Sequence, residues 1–203
     1  MHIITDALYW ISTGLLVPVI IVLLYFFLRA LLLIGAWFGQ YLDVQRFRRS
    51  LDPLLETLSP DALPGLADAL PQSRLPLSKA LRKLLAEDNP ARIEKMLADF
   101  EVDADADMAL PKSLSKMGPM LGLMGTLIPM GPALVGLSTG DIASMAYNMQ
   151  VAFATTVTGL FAAAIGFVVL QCRQRWFARD IATLEFIAAL KAQRQSSPHP
   201  SAL

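Results

Sequence analysis

Residues 117–172 read MGPMLGLMGTLIPMGPALVGLSTGDIASMAYNMQVAFATTVTGLFAAAIGFVVLQC, and one charged residue, Asp141, interrupts them. The charge-free runs on its two sides, 117–140 and 142–172, are 24 and 31 residues long. A helix rises about 1.5 Å per residue, so roughly 20 apolar residues cross a hydrocarbon core of about 30 Å. Each run is long enough to span a bilayer. Ser138, Thr139, Gly140 and Asp141 between them have turn chemistry, and Asp141 is a helix N-cap candidate. The stretch predicts an antiparallel hairpin of two membrane helices.

Working outward, Ala7 to Leu28 is a further charge-free run of 22 residues. The six residues before it contain no Lys or Arg, and bulky Tyr25, Phe26, Phe27 and Leu28 fill its end. A cleaved signal peptide has a basic start, a shorter apolar stretch and small residues at its cleavage site. The run therefore reads as a retained first span. Its bulky surface (Leu23, Leu24, Phe26, Phe27, Leu31) suits acyl chains. Over the whole chain of 203 residues, 55 % are apolar and 17 % charged, against about 25 % charged in soluble domains. Seventeen basic and 17 acidic residues balance, which gives no reason to propose a nucleic-acid partner. The single cysteine, Cys172, excludes an internal disulfide. It reads as a small interfacial residue, with lipidation or redox sensing as the sharper alternative.

Lys and Arg mark the cytoplasmic side of a membrane protein, and acids count little. The N-terminal tail and the turn at Asp141 have none. The segment Leu42–Lys116 has eleven and the tail after Cys172 has five. The expectation is N-terminus out, loop in, turn out, C-terminus in. Apolar residues continue after Arg29 to Tyr41, so the first helix runs past the bilayer. In the loop, Leu77, Leu81, Leu84 and Leu85, then Ile93, Met96, Leu97 and Phe100, recur at helical spacing. Asn89 is placed to cap a helix that starts at Pro90. Pro53, Pro60, Pro64, Pro71 and Pro76 break the preceding region into short pieces. These helices are expected to pack on each other, on a neighbouring subunit and as stalks on the first two spans. Gln195–Leu203 lacks periodicity and reads as a disordered tail.

Chemistry-bearing motifs are scarce. His2 and His199 are the only histidines, and both lie near chain ends, which argues against a zinc site or a His-activated nucleophile. No nucleotide-binding glycine loop is present. Asp103, Asp105 and Asp107 resemble the start of an EF-hand loop, but Met108 and Leu114 stand where glycine and glutamate are required. Asp99, Asp103 and Asp107 read more simply as the solvated face of a helix. No cofactor and no enzymatic activity are expected.

The informative residues are small. Gly118, Gly122, Gly125, Pro129, Pro132 and Gly136 recur at steps of 4, 3, 4, 3 and 4. Ala152, Thr155, Gly159, Ala162 and Gly166 make a similar stripe on the third span. Small residues at this spacing let helices approach closely in lipid. Two readings stand: tight packing of the hairpin, or a smooth channel wall. Thr126, Thr155, Thr156 and Thr158 add hydroxyls near mid-depth. Such a hydroxyl either satisfies itself on its own backbone or holds water or a carboxyl group in a cavity. Neither run contains an acid or base, so a proton carrier would have to come from a partner.

Gly118-Pro-Met-Leu-Gly-Leu-Met-Gly-Thr126, followed by Ala154-Thr-Thr-Val-Thr-Gly-Leu-Phe-Ala-Ala163, resembles the MotA/TolQ/ExbB proton channel family. Residues 128–132, Ile-Pro-Met-Gly-Pro, carry two prolines that the ExbB and TolQ pattern lacks, and no proline follows near Gly166. The resemblance implies a homo-oligomer, a pentamer, in the inner membrane. It would surround a dimer of a single-span ExbD/TolR/MotB-like partner that carries a membrane aspartate. A threonine in each of the last two spans lines the ion path in that family, and by motif position these are Thr126 and Thr156, with Thr155 beside them. Gly118, Gly122, Gly125, Pro129, Gly159 and Gly166 are the packing or pore-wall residues. Ion flow would drive work on the cell envelope.

The expected fold is an all-α integral membrane protein with three transmembrane helices, N-out and C-in. Its long helices extend into a helical cytoplasmic region. The chain divides into 1–41 (periplasmic N-terminus and first span), 42–116 (cytoplasmic helical loop), 117–137 (second span), 138–144 (outer turn), 145–172 (third span) and 173–203 (cytoplasmic helix and tail). The competing function is a non-conducting membrane scaffold packed through small-residue faces. A solute transporter would show an internal repeat or broken helices, and neither is visible.

Overall fold

The computed structural model describes residues 2–56, 58–59, 62–71 and 73–196. Among them there are seven helices and no strand: α1 (His2–Gly14), α2 (Leu16–Glu56), α3 (Leu63–Ala69), α4 (Pro76–Ala86), α5 (Pro90–Asp107), α6 (Ala109–Thr139) and α7 (Ile142–Ser196). Three stretches are long and apolar enough to cross a membrane: Ala7–Glu56, Pro90–Thr139 and Ile142–Gln195. The α1/α2 break at Leu15 follows from Pro18, which has no N–H to give the carbonyl of Gly14. Pro53 does not break its helix as expected. It sits in the last turn of α2, where one lost hydrogen bond is tolerated. Gln195 and Ser196, read as tail, close α7. His199 and the remainder of the expected tail lie outside the described residues.

The chain forms two compact units, Met1–Ala36 with Ala109–Gln171, and Trp37–Met108 with Cys172–Leu203. In the first, α2 buries Val19, Leu23, Phe26, Ala30 and Leu33, a stripe at steps of 4, 3, 4 and 3. The ring of Phe27 lies 5.9 Å from that of Phe161 on α7. This corrects the expected bulky outer surface of the first span. Leu23 and Phe26 face inward, while Leu24 (58 % exposed) and Leu31 (42 %) face outward. Leu28, Leu32, Leu123, Leu127, Leu134, Phe153 and Val157 are also exposed. An apolar surface this extensive needs lipid or another protein against it.

The second unit has a core of its own, built from Phe47 and Leu51 of α2, Leu77, Leu81 and Leu84 of α4, Ile93 and Phe100 of α5, and Phe177, Leu184 and Ile187 of α7. Helices from all three membrane-length stretches enter it: α2, α5 at the start of Pro90–Thr139 and, beyond the stalks expected on the first two spans, α7. Asn89 caps α5 by accepting from the N–H of Ala91 at 3.0 Å. At the C-terminal end of α4, Lys191 of α7 is buried and its ammonium donates to the carbonyls of Leu84 (3.2 Å), Leu85 (2.8 Å) and Glu87. These carbonyls include the ones a helix C-terminus leaves without intrahelical partners. A flexible cation from another helix satisfies three of them and favours the negative end of the dipole.

Arg48 of α2 donates to Asp180 Oδ1 at 2.5 Å and to the Trp176 carbonyl at 3.1 Å. Arg173 of α7 donates to Gln40 Oε1 (3.2 Å) and to the carbonyl of Asp107 (2.7 Å). Burial pushes the Asp180 carboxyl up from 3.8 to about 6, because desolvation outweighs the attraction of Arg48. A raised folded-state value means that the fold binds this proton more readily than the unfolded chain does. The stabilisation is fully present below pH 3.8 and is lost as pH rises through about 6. Over that window it is worth up to about 3 kcal/mol. The unfolding midpoint of the wild type minus that of Asp180→Asn, measured in detergent, is expected to rise as pH falls from 7.5 to 4.5. A difference that stays flat with pH refutes the assignment.

Candidate functional site

The hairpin begins with its turn. Gly140 has φ +77°, a conformation that favours glycine. The N–H of Asp141 bonds back to the Gly136 carbonyl at 2.8 Å and that of Gly140 to Leu137 at 3.3 Å, closing α6 in a Schellman motif. Asp141 Oδ1 then accepts from the N–H of Ser144 at 3.0 Å and caps α7. The turn is shorter than expected, since Ser138 and Thr139 end α6 and α7 starts at Ile142.

Below the turn the two helices are in backbone contact. A methyl group built on Gly118 would stand 2.7 Å from the Gly159 carbonyl oxygen, and one on Gly159 would stand 2.6 Å from that of Gly118. Gly125 meets Thr155 Cβ and Oγ1 at 2.6 Å, and Gly166 meets Leu114 Cβ at 2.7 Å. Gly122 faces Thr156 Cα at 3.5 Å, an ordinary contact. Pro129 is fully buried. The five glycines named from the sequence thus lie between α6 and α7 of one chain. Gly131, on another face of α6, has nothing within 4 Å.

The three threonines separate. Thr155 is 6 % exposed, lies under Gly125 and donates to the carbonyls of Val151 (3.0 Å) and Ala152 (2.9 Å). Its place is in the helix contact. Thr126 and Thr156 are half-buried at the edges of the seam. Thr126 Oγ1 donates to the Leu123 carbonyl at 2.7 Å. Thr156 Oγ1 lies 3.1 Å from the Ala152 carbonyl and 3.4 Å from that of Gly122 across the helix pair. A threonine that donates to its backbone keeps two acceptor lone pairs, so both hydroxyls still have capacity for a visiting O–H.

Sequence reasoning passed over Gln150. Its side chain is exposed within the third run, on a face of α7 shared with Ala146, Phe153, Ala154, Val157 and Thr158. The signal was available as an amide in a charge-free stretch, since polar groups at such depth face protein or water more often than lipid.

These features define a multi-pass helical membrane protein whose hairpin is glycine-packed, carries hydroxyls at its edges and has no Asp, Glu, Lys, Arg or His between 117 and 172 except Asp141. Residues 72–185 match the MotA/TolQ/ExbB proton channel family, and the chain belongs to it. No curated protein and no solved structure matches the chain.

Added methyl groups test the seam. Gly118→Ala and Gly159→Ala should each destabilise the fold in detergent by about 1–3 kcal/mol, the cost of overpacking. Gly122→Ala should cost less, and Gly131→Ala should leave the unfolding midpoint near wild type. Equal effects at Gly118 and Gly131 would show that the seam is not as described.

Proposed function

We propose that this chain is the pore-forming subunit of an ion-driven motor in the inner membrane, which couples proton flow to mechanical work through a single-span partner of the ExbD/TolR/MotB type. Membership of a proton channel family supports the channel half of this reading. The observation that carries the rest is the pair of half-buried hydroxyls, Thr126 and Thr156, in spans with no acid or base of their own. A proton relay through hydrocarbon needs a titratable carrier, and the partner's membrane aspartate supplies it. When that carboxyl is protonated, its O–H donates to a threonine lone pair. When it ionises, the threonine hydroxyl turns from its backbone acceptor and donates to the carboxylate. The two hydroxyls thereby lower the cost of charge at mid-depth. Subunits assemble as a homo-oligomer, a pentamer by family resemblance, with lipid against the exposed apolar faces.

The second reading is a non-conducting scaffold. The observation that favours it is that the seam glycines are fully used in packing α6 against α7. Flux measurements separate the two. In liposomes containing the chain and its partner, Thr126→Val and Thr156→Val should each cut proton flux by about 10-fold or more, while assembly persists. Valine keeps threonine's shape and removes the hydroxyl. Thr155→Val and Thr13→Val should conduct like wild type. Full flux in both Thr126→Val and Thr156→Val would refute the assigned roles.

The orientation N-out, C-in rests on the eleven basic residues of 42–116 and the five after Cys172. In a Cys172→Ser background, a membrane-impermeant thiol reagent added to intact cells should label Ser138→Cys and leave Ser73→Cys unlabelled. Labelling of Ser73→Cys would reverse the topology.

A further inference from the structure

The unit formed by Trp37–Met108 and Cys172–Leu203 carries an open groove of about 480 Å³ between α4 and α5. Its floor is apolar and includes Leu84, Phe100, Phe177 and Leu184. Its rims have opposite charge. Lys79 and Lys83 stand one turn apart along α4, and Asp99, Asp103 and Asp107 follow one another at single turns along α5.

The same unit presents a surface of complementary form. On α7, Ala178, Ala182, Phe186 and Ala189 make an exposed ridge, and Phe186 is 43 % exposed. At about 100° per residue, Arg179 falls about 60° to one side of Ala182 and Glu185 about 60° to the other. Both charged residues are exposed. An apolar ridge with a base on one flank and an acid on the other matches an apolar groove with an acidic and a basic rim. The ridge cannot enter the groove of its own chain. Phe177 and Leu184 of the same helix already form that groove's floor, and the ridge lies on the opposite face of α7.

We propose that Phe186 of one copy seats in the α4–α5 groove of the next copy, with Arg179 against the Asp99/Asp103 rim and Glu185 against the Lys79/Lys83 rim. The charges select one of the two directions in which α7 can lie along the groove. Groove and ridge are different surfaces of one chain, so the contact is head-to-tail and its repetition closes a ring when the rotation allows. The inference rests on the homo-oligomer reading and deepens it by naming a subunit surface.

The test uses the full chain in mild detergent, prepared as a mixture of normal and ¹⁵N-labelled copies. A carbodiimide joins a carboxylate to an amine with loss of water and no spacer. Mass spectrometry should find peptides that join Glu185 to Lys79 or Lys83 and carry one labelled and one unlabelled half. Arg179→Glu, which sets like charge against Asp99 and Asp103, should abolish these mixed pairs. In a Cys172→Ser background, copies bearing Arg179→Cys mixed with copies bearing Asp103→Cys should form a disulfide under mild oxidation, whereas Arg179→Cys mixed with Glu94→Cys should not. An oligomer with neither the mixed-label pairs nor the disulfide overturns this surface and leaves the homo-oligomer standing. A monomer in native mass spectrometry overturns both.

Discussion

Everything in the membrane unit depends on how closely α6 and α7 approach. Lipid tails are as apolar as leucine, so no hydrophobic force drives two membrane helices together. What remains is van der Waals contact and hydrogen bonding, and both grow steeply as backbones near each other. The reciprocal contacts of Gly118 and Gly159, each with room for hydrogen only, set that distance. One consequence reaches the hydroxyls. Thr155 is trapped because Gly125 leaves room for it, while Thr156, one residue on and therefore rotated by about 100°, comes to the seam's edge.

The helical unit is held by different physics. It has a hydrophobic core, and polar ties are added where helices end or cross. Lys191 satisfies carbonyls at the end of α4, and Arg48 and Arg173 join α2 to α7. These two arginines differ in kind. Arg173 bonds to an amide and a carbonyl, which do not titrate. Arg48 bonds to a carboxylate whose burial costs more than the ion pair returns. The Arg48 tie therefore responds to pH and the Arg173 tie does not.

Much of this was legible in the sequence because membrane spans and turns are written in composition and short-range chemistry. The hairpin follows from two charge-free runs around Asp141, and the α5 cap from Asn89-Pro90. What was missed depends on azimuth or on distant partners. Leu23 and Leu24 are alike in composition, yet one is buried and the other exposed. Only the neighbours on α6 and α7 decide between them. Thr155 and Thr156 look equivalent as a dipeptide, and a rotation of about 100° separates them. Pro53 looked like a breaker because proline lacks an N–H, but in the last turn of α2 the loss is one bond. The core of the helical unit joins Phe47 to Phe177 and Leu184, residues far apart in sequence, and no local pattern announces such a pairing.

The division of labour between the two units follows from the same constraint. A span that uses its small face for packing has little surface left for chemistry. What is left here is hydroxyl and amide: Thr126, Thr156 and Gln150. Such groups orient and solvate a proton carrier, but at physiological pH they do not hold a charge themselves. In the proposed function the titrating group must therefore belong to another chain, and the pore wall stays neutral whichever state that group is in. A neutral wall has a further merit. A fixed charge would favour one protonation state of the partner's carboxyl group strongly over the other, a cation the ionised form and an anion the protonated form, which would hold the cycle at one step. A hydroxyl is donor to the ionised form and acceptor from the protonated form, so it favours neither strongly and lets the proton gradient set the direction.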